Sequence, residues 1–233
     1  MLRSNRTPPG WKRWVTVAAL AVGLSACIDP EGEYNDFLER AGANEVMDAG
    51  PAGECPPLGD TPLPDPAQLS GTYYYVVSLT PYTTQPTIYL LEVMAARDAG
   101  GDYTIMMRNR PLLYADRKTP TGEFSEWSTT TVSPQGCYTL ADQMTVTPGN
   151  ANVLTFDVST TLDFSGNVGQ AMYESGPGTP VKFFCGTVTG VVTAPIAQDT
   201  GGTFTATRVD PNNPSTFPAT PVIDCAMTPA GAP

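Results

Sequence analysis

The stretch Val153 to Phe164 alternates with a period of two. Leu154, Phe156, Val158, Thr160, Leu162 and Phe164 take the even positions, and Thr155, Asp157, Ser159, Thr161 and Asp163 the odd ones. Successive side chains of a strand point to opposite faces, so the even set faces a core and the odd set faces water. A helix would scatter both sets around its axis. This segment is a strand, and its composition sets the pattern for residues 69–210.

From Leu69 onward the chain is rich in Thr, Val, Tyr and Phe, punctuated by Gly, Pro and Asn, which is strand composition with turn signals. Gly71 to Leu79 puts Tyr73, Tyr75, Val77 and Leu79 on one face. Thr87 to Ala95 turns at Gly100-Gly101 into Tyr103 to Arg108. Glu123 to Val132 and Tyr138 to Val146 flank the tight turn Pro134-Gln135-Gly136, and Pro148-Gly149-Asn150 leads into the alternating segment. Ser165-Gly166-Asn167 is expected to end that strand, with Val168 to Tyr173 pairing back. Val181 to Val192 and Thr203 to Val209 complete the set, separated by Asp199-Thr200-Gly201-Gly202. Eight or nine strands with no helix between them predict an all-β barrel or sandwich. The short links require antiparallel neighbours and favour a meander, which closes on itself and loses its edges; a β-sandwich is the second choice.

The opening Leu69-Ser70-Gly71-Thr72-Tyr73 resembles the Gly-x-aromatic start of lipocalin and avidin barrels. The likeness covers those residues alone, with Tyr73 where those families usually have tryptophan. It implies a lipocalin-like barrel and carries no ligand-binding residue with it.

The N-terminus has a different character. Arg3, Arg6, Lys12 and Arg13 precede an uncharged apolar segment, Trp14 to Leu24, of 11 residues. A bilayer-spanning helix needs roughly 20, so the segment fits a signal-peptide core. Leu24-Ser25-Ala26-Cys27 then resembles the lipobox of bacterial lipoprotein precursors: an apolar residue, two small residues and the modified cysteine. The resemblance implies removal of residues 1–26, a diacylglyceryl group on the Cys27 sulfur, and acylation of the new amino group by a chain such as palmitate. One chain holds a protein marginally at about 0.8 kcal/mol per buried methylene; two or three hold it firmly. It implies a place in the cell envelope, and Ile28 in place of aspartate after the cysteine points to the outer membrane.

Four of the 12 basic residues precede Cys27 and all 23 acidic residues follow it, so the mature chain carries a formal charge of −15. Such a surface repels nucleic acid and anionic headgroups. Residues 28–68 are dense in Pro, Gly and carboxylates, with Arg40 the sole basic side chain. They read as a disordered tether with a root-mean-square span of roughly 35 Å, in which Tyr34, Phe37, Leu38 and Ala41 have the spacing of a short helix ended by Gly42. The tail, 211–233, reads as irregular.

Beyond Cys27 the cysteines are Cys55, Cys137, Cys185 and Cys225. An even number in an exported chain reads as two disulfides, and the spacing lacks the close pairs of a zinc site. Three connectivities are open. Cys55–Cys225 with Cys137–Cys185 is the expected one, since the first bond would join the two tails flanking the domain.

No catalytic residue, cofactor or metal site emerges. The sequence has no histidine, which removes the commonest general base. Asp157 and Asp163 share a polar strand face about 20 Å apart, and Glu123 and Glu126 lie on opposite faces of their segment. No serine sits in a Gly-x-Ser-x-Gly elbow, and Lys118 and Lys182 have no serine motif nearby. Cys185 reads as half of a disulfide. Asp98-Ala99-Gly100-Gly101-Asp102 offers too few carboxylates for calcium and reads as a turn. Gly176-Pro177-Gly178 lacks the ending of a phosphate loop. The aromatics Tyr73, Tyr74, Tyr75 and Trp127 either fill the interior or meet a partner. The expected function is therefore a non-catalytic, lipid-anchored domain that binds a small apolar ligand or an envelope partner. The alternatives are a purely structural coat and, third, a carboxylate-based hydrolase.

Overall fold

The computed structural model describes residues 63–168 and 179–225, all within one unit, Gly50–Pro233. After a single helical turn, α1 (Pro66–Leu69), eight strands follow: β1 (Gly71–Leu79), β2 (Thr87–Arg97), β3 (Tyr103–Pro111), β4 (Ser128–Val132), β5 (Cys137–Thr147), β6 (Val158–Asn167), β7 (Phe183–Ala194) and β8 (Gln198–Arg208). They form one antiparallel sheet in the order β4-β3-β2-β1-β8-β7-β6-β5. Each strand lies beside its sequence neighbour and β1 lies beside β8, so the sheet is a meander rolled into a nearly closed barrel. The remaining seam lies between β4 and β5. There Ser133 N–H donates to Cys137 O at 2.8 Å and the Thr130 hydroxyl to Thr139 O at 2.8 Å. The Ser128 hydroxyl donates to Gln143 Oε1.

Alternation fills the interior. Tyr73, Tyr75 and Val77 of β1, Tyr89, Leu91 and Val93 of β2, and Tyr103, Ile105 and Met107 of β3 all enter one buried cluster. On the far wall Tyr138, Gly166, Gly186, Phe204 and Val77 occupy one cross-strand row. A Cβ at Gly166 would come within 2.7 Å of the Tyr138 hydroxyl, and one at Gly186 within 2.1 Å of Ser165 O and 2.6 Å of the Phe204 ring. The two glycines are the space into which these rings pack, and each buried large side chain contributes about 1.5–3 kcal/mol.

The floor of the barrel is shut by Arg208. Its Nη2 donates to Gln68 O at 2.6 Å and Ser70 O at 2.7 Å, and its Nε donates to Val181 O at 2.9 Å. The guanidinium carbon stands 5.1 Å from the centre of the Tyr73 ring, whose hydroxyl donates to Leu69 O at 2.7 Å. Gly71 makes this approach possible, since a Cβ there would lie 2.2 Å from Arg208 Nη1. The Gly-x-aromatic start thus has a local reason: the glycine admits the guanidinium and the ring lies against it. This clamp also orders α1, so the expected tether gives way to structure before residue 68.

Outside the barrel, Tyr74, Val76, Ile88 and Leu90 form a second apolar cluster with Val209 and Phe217. The tail therefore packs along the wall. Thr205 and Thr203 hydroxyls donate to Val222 O and Ile223 O, both at 2.5 Å, and the Tyr74 and Phe217 rings stand 5.6 Å apart. It ends in a Cys185–Cys225 disulfide with a Cα–Cα distance of 5.6 Å. This bond overturns the expected Cys55–Cys225 and Cys137–Cys185 pairs. Cys185 faces outward from β7, in register with Thr205 of β8, and the tail crosses that strand to reach it. Cys137 is also disulfide-bonded; Cys27 and Cys55 lie outside the described residues.

Several boundaries move. The alternating strand begins at Val158, because the Asn152 amide donates to Pro148 O at 2.8 Å and Phe156 O at 3.0 Å, which holds residues 148–156 in a loop. Asp199–Gly202 and Ser165–Asn167 lie within β8 and β6 rather than in turns. Residues 123–127 are not strand. Of the expected Val168–Tyr173 strand, Val168 is outside any strand, and the rest, like Gly176–Gly178 and the 34–42 helix, lies outside the described residues.

The strap and the buried phenols each make a prediction. Cys185→Ser with Cys225→Ser releases a cross-link over 40 residues and should cost about 4 kcal/mol by the loop-entropy relation, read as a lower urea midpoint. An unchanged midpoint would mean that the hydrogen bonds and Phe217 hold the tail alone. Burial pushes Tyr73, Tyr89 and Tyr103 from 10.0 up to about 12, against smaller opposing pulls from Arg208, the Thr147 hydrogen bond and Arg97 respectively. A raised folded pKa favours the neutral folded form, so this stabilisation is complete below pH 10 and is lost as pH rises towards 12. Phenolate absorbance from these tyrosines should appear together with unfolding; phenolate formation in an intact barrel would contradict the packing.

Candidate functional site

The end opposite Arg208 is open and holds a cavity of about 250 Å³. Its base is an aromatic cluster in which Tyr75 lies 6.1 Å from the rings of Tyr89 and Phe164 and 5.5 Å from that of Phe204. Val77 and Leu79 of β1, Val158 and Leu162 of β6, and Val192 of β7 form apolar walls, among which stand the hydroxyls of Thr87, Thr160 and Thr200 and the carboxamides of Asn109 and Asn152.

A bulge in β5 supplies the polar part. Leu140 pairs with Phe164 but Gln143 pairs with Leu162, so β5 gains a residue and its inward phase changes. Asp142 takes φ 54° there, and its N–H donates to Asp163 Oδ1 at 2.7 Å. Beyond the bulge Thr145 and Thr147 line the cavity, while Met144 and Val146 are 84% and 62% exposed. The Thr147 and Tyr89 hydroxyls are 2.7 Å apart and span the interior from β5 to β2.

Three loops make the mouth. Tyr82, Phe156 and Ile196, one from each, are exposed beside Pro81 and Pro195. The loops are held: Ser78 Oγ donates to Thr83 O at 2.7 Å, Thr200 Oγ1 to Thr80 O at 2.9 Å, and Gly149 N–H to Asp157 Oδ1 at 2.9 Å. Among the described residues, no carboxylate, amine or guanidinium lines the cavity.

The residues singled out from sequence fall in several places. Tyr73 and Tyr75 fill the interior, and Tyr74 lies outside under Phe217. Asp157 and Asp163 do not converge; each accepts a backbone N–H at a different bend. Glu123 and Glu126 are exposed. Asp98 accepts from Gly100 and Asp102 N–H at 2.8 and 3.0 Å, as the connection between β2 and β3. Trp127 is 37% exposed, with Arg108 stacked 4.6 Å from its ring centre; Arg108 is held in turn by Glu92 at 2.6 Å and Phe124. Lys118 follows a turn whose Asp116 carboxylate is held below the ordinary range by hydrogen bonds from Thr119 and Lys118. Among the described residues no three His, Cys, Asp or Glu side chains could hold a metal ion, and no helix is long and apolar enough to cross a membrane. Tyr82, Ile196, Thr145 and Thr147 were not marked by any sequence pattern as site residues.

Compared with family models, curated proteins and solved structures, the chain matches none. The cavity is therefore read from its own geometry. Since Asp163 fixes the bulge that turns Thr145 and Thr147 inward, Asp163→Ala should destabilise the barrel by about 1.5–3 kcal/mol, the range for hydrogen bonds to charged groups. It should also shift the amide resonances of residues 143–147; unchanged resonances there would show that the bulge stands without it.

Proposed function

We propose that this chain is a lipid-anchored bacterial envelope protein whose barrel carries a small, mostly apolar ligand in its open end. The observation that carries the reading is the cavity above Tyr75, whose apolar walls are interspersed with neutral hydroxyls and carboxamides and which lies over a packed aromatic base. Pockets of this make-up suit small molecules, and its volume lies just under the usual range of about 300–1,000 Å³. The anchor is proposed from Leu24-Ser25-Ala26-Cys27, and the outer membrane from Ile28. No catalytic step is assigned: Asp157 and Asp163 accept backbone N–H groups at bends, Glu92 pairs with Arg108, and no described carboxylate lines the cavity. A second reading, an envelope partner seated on the mouth, is favoured by the exposed side chains of Tyr82, Phe156 and Ile196.

Native mass spectrometry of the chain recovered from the envelope of its own producing cell tests the carrier reading. The expected result is an added mass that leaves on denaturation; a bare polypeptide that also takes up no ligand from a cell extract would turn the reading towards a partner or a coat. For the anchor, Cys27→Ser should leave an unacylated precursor uncut before residue 27. Normal cutting and release of that variant would show an ordinary signal peptide.

A further inference from the structure

We infer that the cavity selects a neutral, compact molecule bearing one hydroxyl or carbonyl oxygen, and that it rejects ions and long acyl chains. The inference rests on the carrier reading above and names the ligand class for the same site. The first argument is charge. An ion entering this space would leave water for walls that offer neutral hydroxyls and the carboxamides of Gln85, Asn109, Asn152 and Gln198 but no opposite charge, and burial of an unpaired charge is strongly unfavourable. The described charged groups face elsewhere: Arg208 is beneath the floor, Arg108 is paired with Glu92 outside, and Asp157 and Asp163 are held by backbone N–H groups. None of the described carboxylates belongs to the cavity lining.

The second argument is size. A volume of about 250 Å³ holds roughly eight water-sized groups at ~30 Å³ each. A single ring with a short substituent fits within the walls; a sixteen-carbon chain needs about twice that space by the same measure, so about half of it would stay in water beyond the mouth. The base offers no onward passage, because Tyr75, Phe164 and Phe204 close it. The third argument is the polar handle. The hydroxyls of Tyr89 and Thr147 hold one proton between them, which leaves the pair one further O–H to donate. A ligand oxygen placed there accepts it while the ring lies against Tyr75 and Leu162.

Titration calorimetry of the mature protein with five probes tests this: benzyl alcohol, toluene, benzoate, benzylammonium and hexadecanoate. Benzyl alcohol should bind saturably at one site, and benzoate and benzylammonium at least ~100-fold more weakly, as burial of an unpaired ion requires. Hexadecanoate should not displace benzyl alcohol. Leu162→Trp should fill the space and abolish binding, with Val158→Phe nearer the mouth as a second filling variant should the first fail to fold. Tyr89→Phe should weaken benzyl alcohol about fivefold while leaving toluene binding unchanged, consistent with loss of one hydrogen bond. Equal binding of an ion, or displacement by hexadecanoate, would overturn the ligand class and leave the carrier reading standing. No saturable binding of any probe to a folded barrel would overturn both.

Discussion

A guanidinium has five N–H donors and no acceptor, and in this barrel Arg208 directs those on Nη2 and Nε to three main-chain carbonyls from separate parts of the chain. Gln68 belongs to the turn before the first strand, Ser70 to the entry into it, and Val181 to the approach to β7. Those carbonyls lie where the backbone has left its helix or strand ladder, and unpaired polar groups buried there would be costly. One side chain thus closes an end of the barrel, sets the direction in which the chain enters, and makes the interior accessible from one side only. Between that clamp and the cavity lie the rings of Tyr75, Phe164 and Phe204, which close the cavity's base.

Above the clamp the barrel changes character with height. Low down, aromatic rings lie over glycines and the space is full. Higher up, the extra residue in β5 exchanges the expected apolar side chains for threonines, and the interior opens. A uniform alternation would have carried Met144 and Val146 inward; the Asp142–Asp163 contact instead sends them to the surface. The Thr145 and Thr147 part of the polar lining is therefore a product of backbone irregularity, whereas Thr160 follows the strand pattern.

This explains what the sequence could and could not disclose. Period-two alternation located β1 and most of β6, and the short links implied the meander, since both depend on neighbours along the chain. Tyr73, Tyr75, Leu162 and Phe164 were legible as inward-facing for the same reason. Glycine misled: Gly166 and Gly202 read as turn residues, but they sit inside strands where neighbouring groups come too close for a Cβ. The burial of Tyr74 and Val76 depends on a tail more than 130 residues away, and Cys185 on the same tail, so no local pattern could assign them. The mouth residues Tyr82 and Ile196 are single apolar positions in loops, indistinguishable in sequence from ordinary exposed side chains.

The pairing of the first strand with the last has a temporal side. Arg208 reaches Ser70 across 138 residues, so a chain made from its N-terminus has β1 long before the strand and the guanidinium that complete it. Until then one edge of β1 stays bare and the floor does not exist. Non-local closure of this kind slows folding and makes the last strand the one that commits the molecule. A chain broken off before Arg208 is accordingly not a shorter barrel but an unclosed sheet, and integrity of the far end is a condition for having an inside at all.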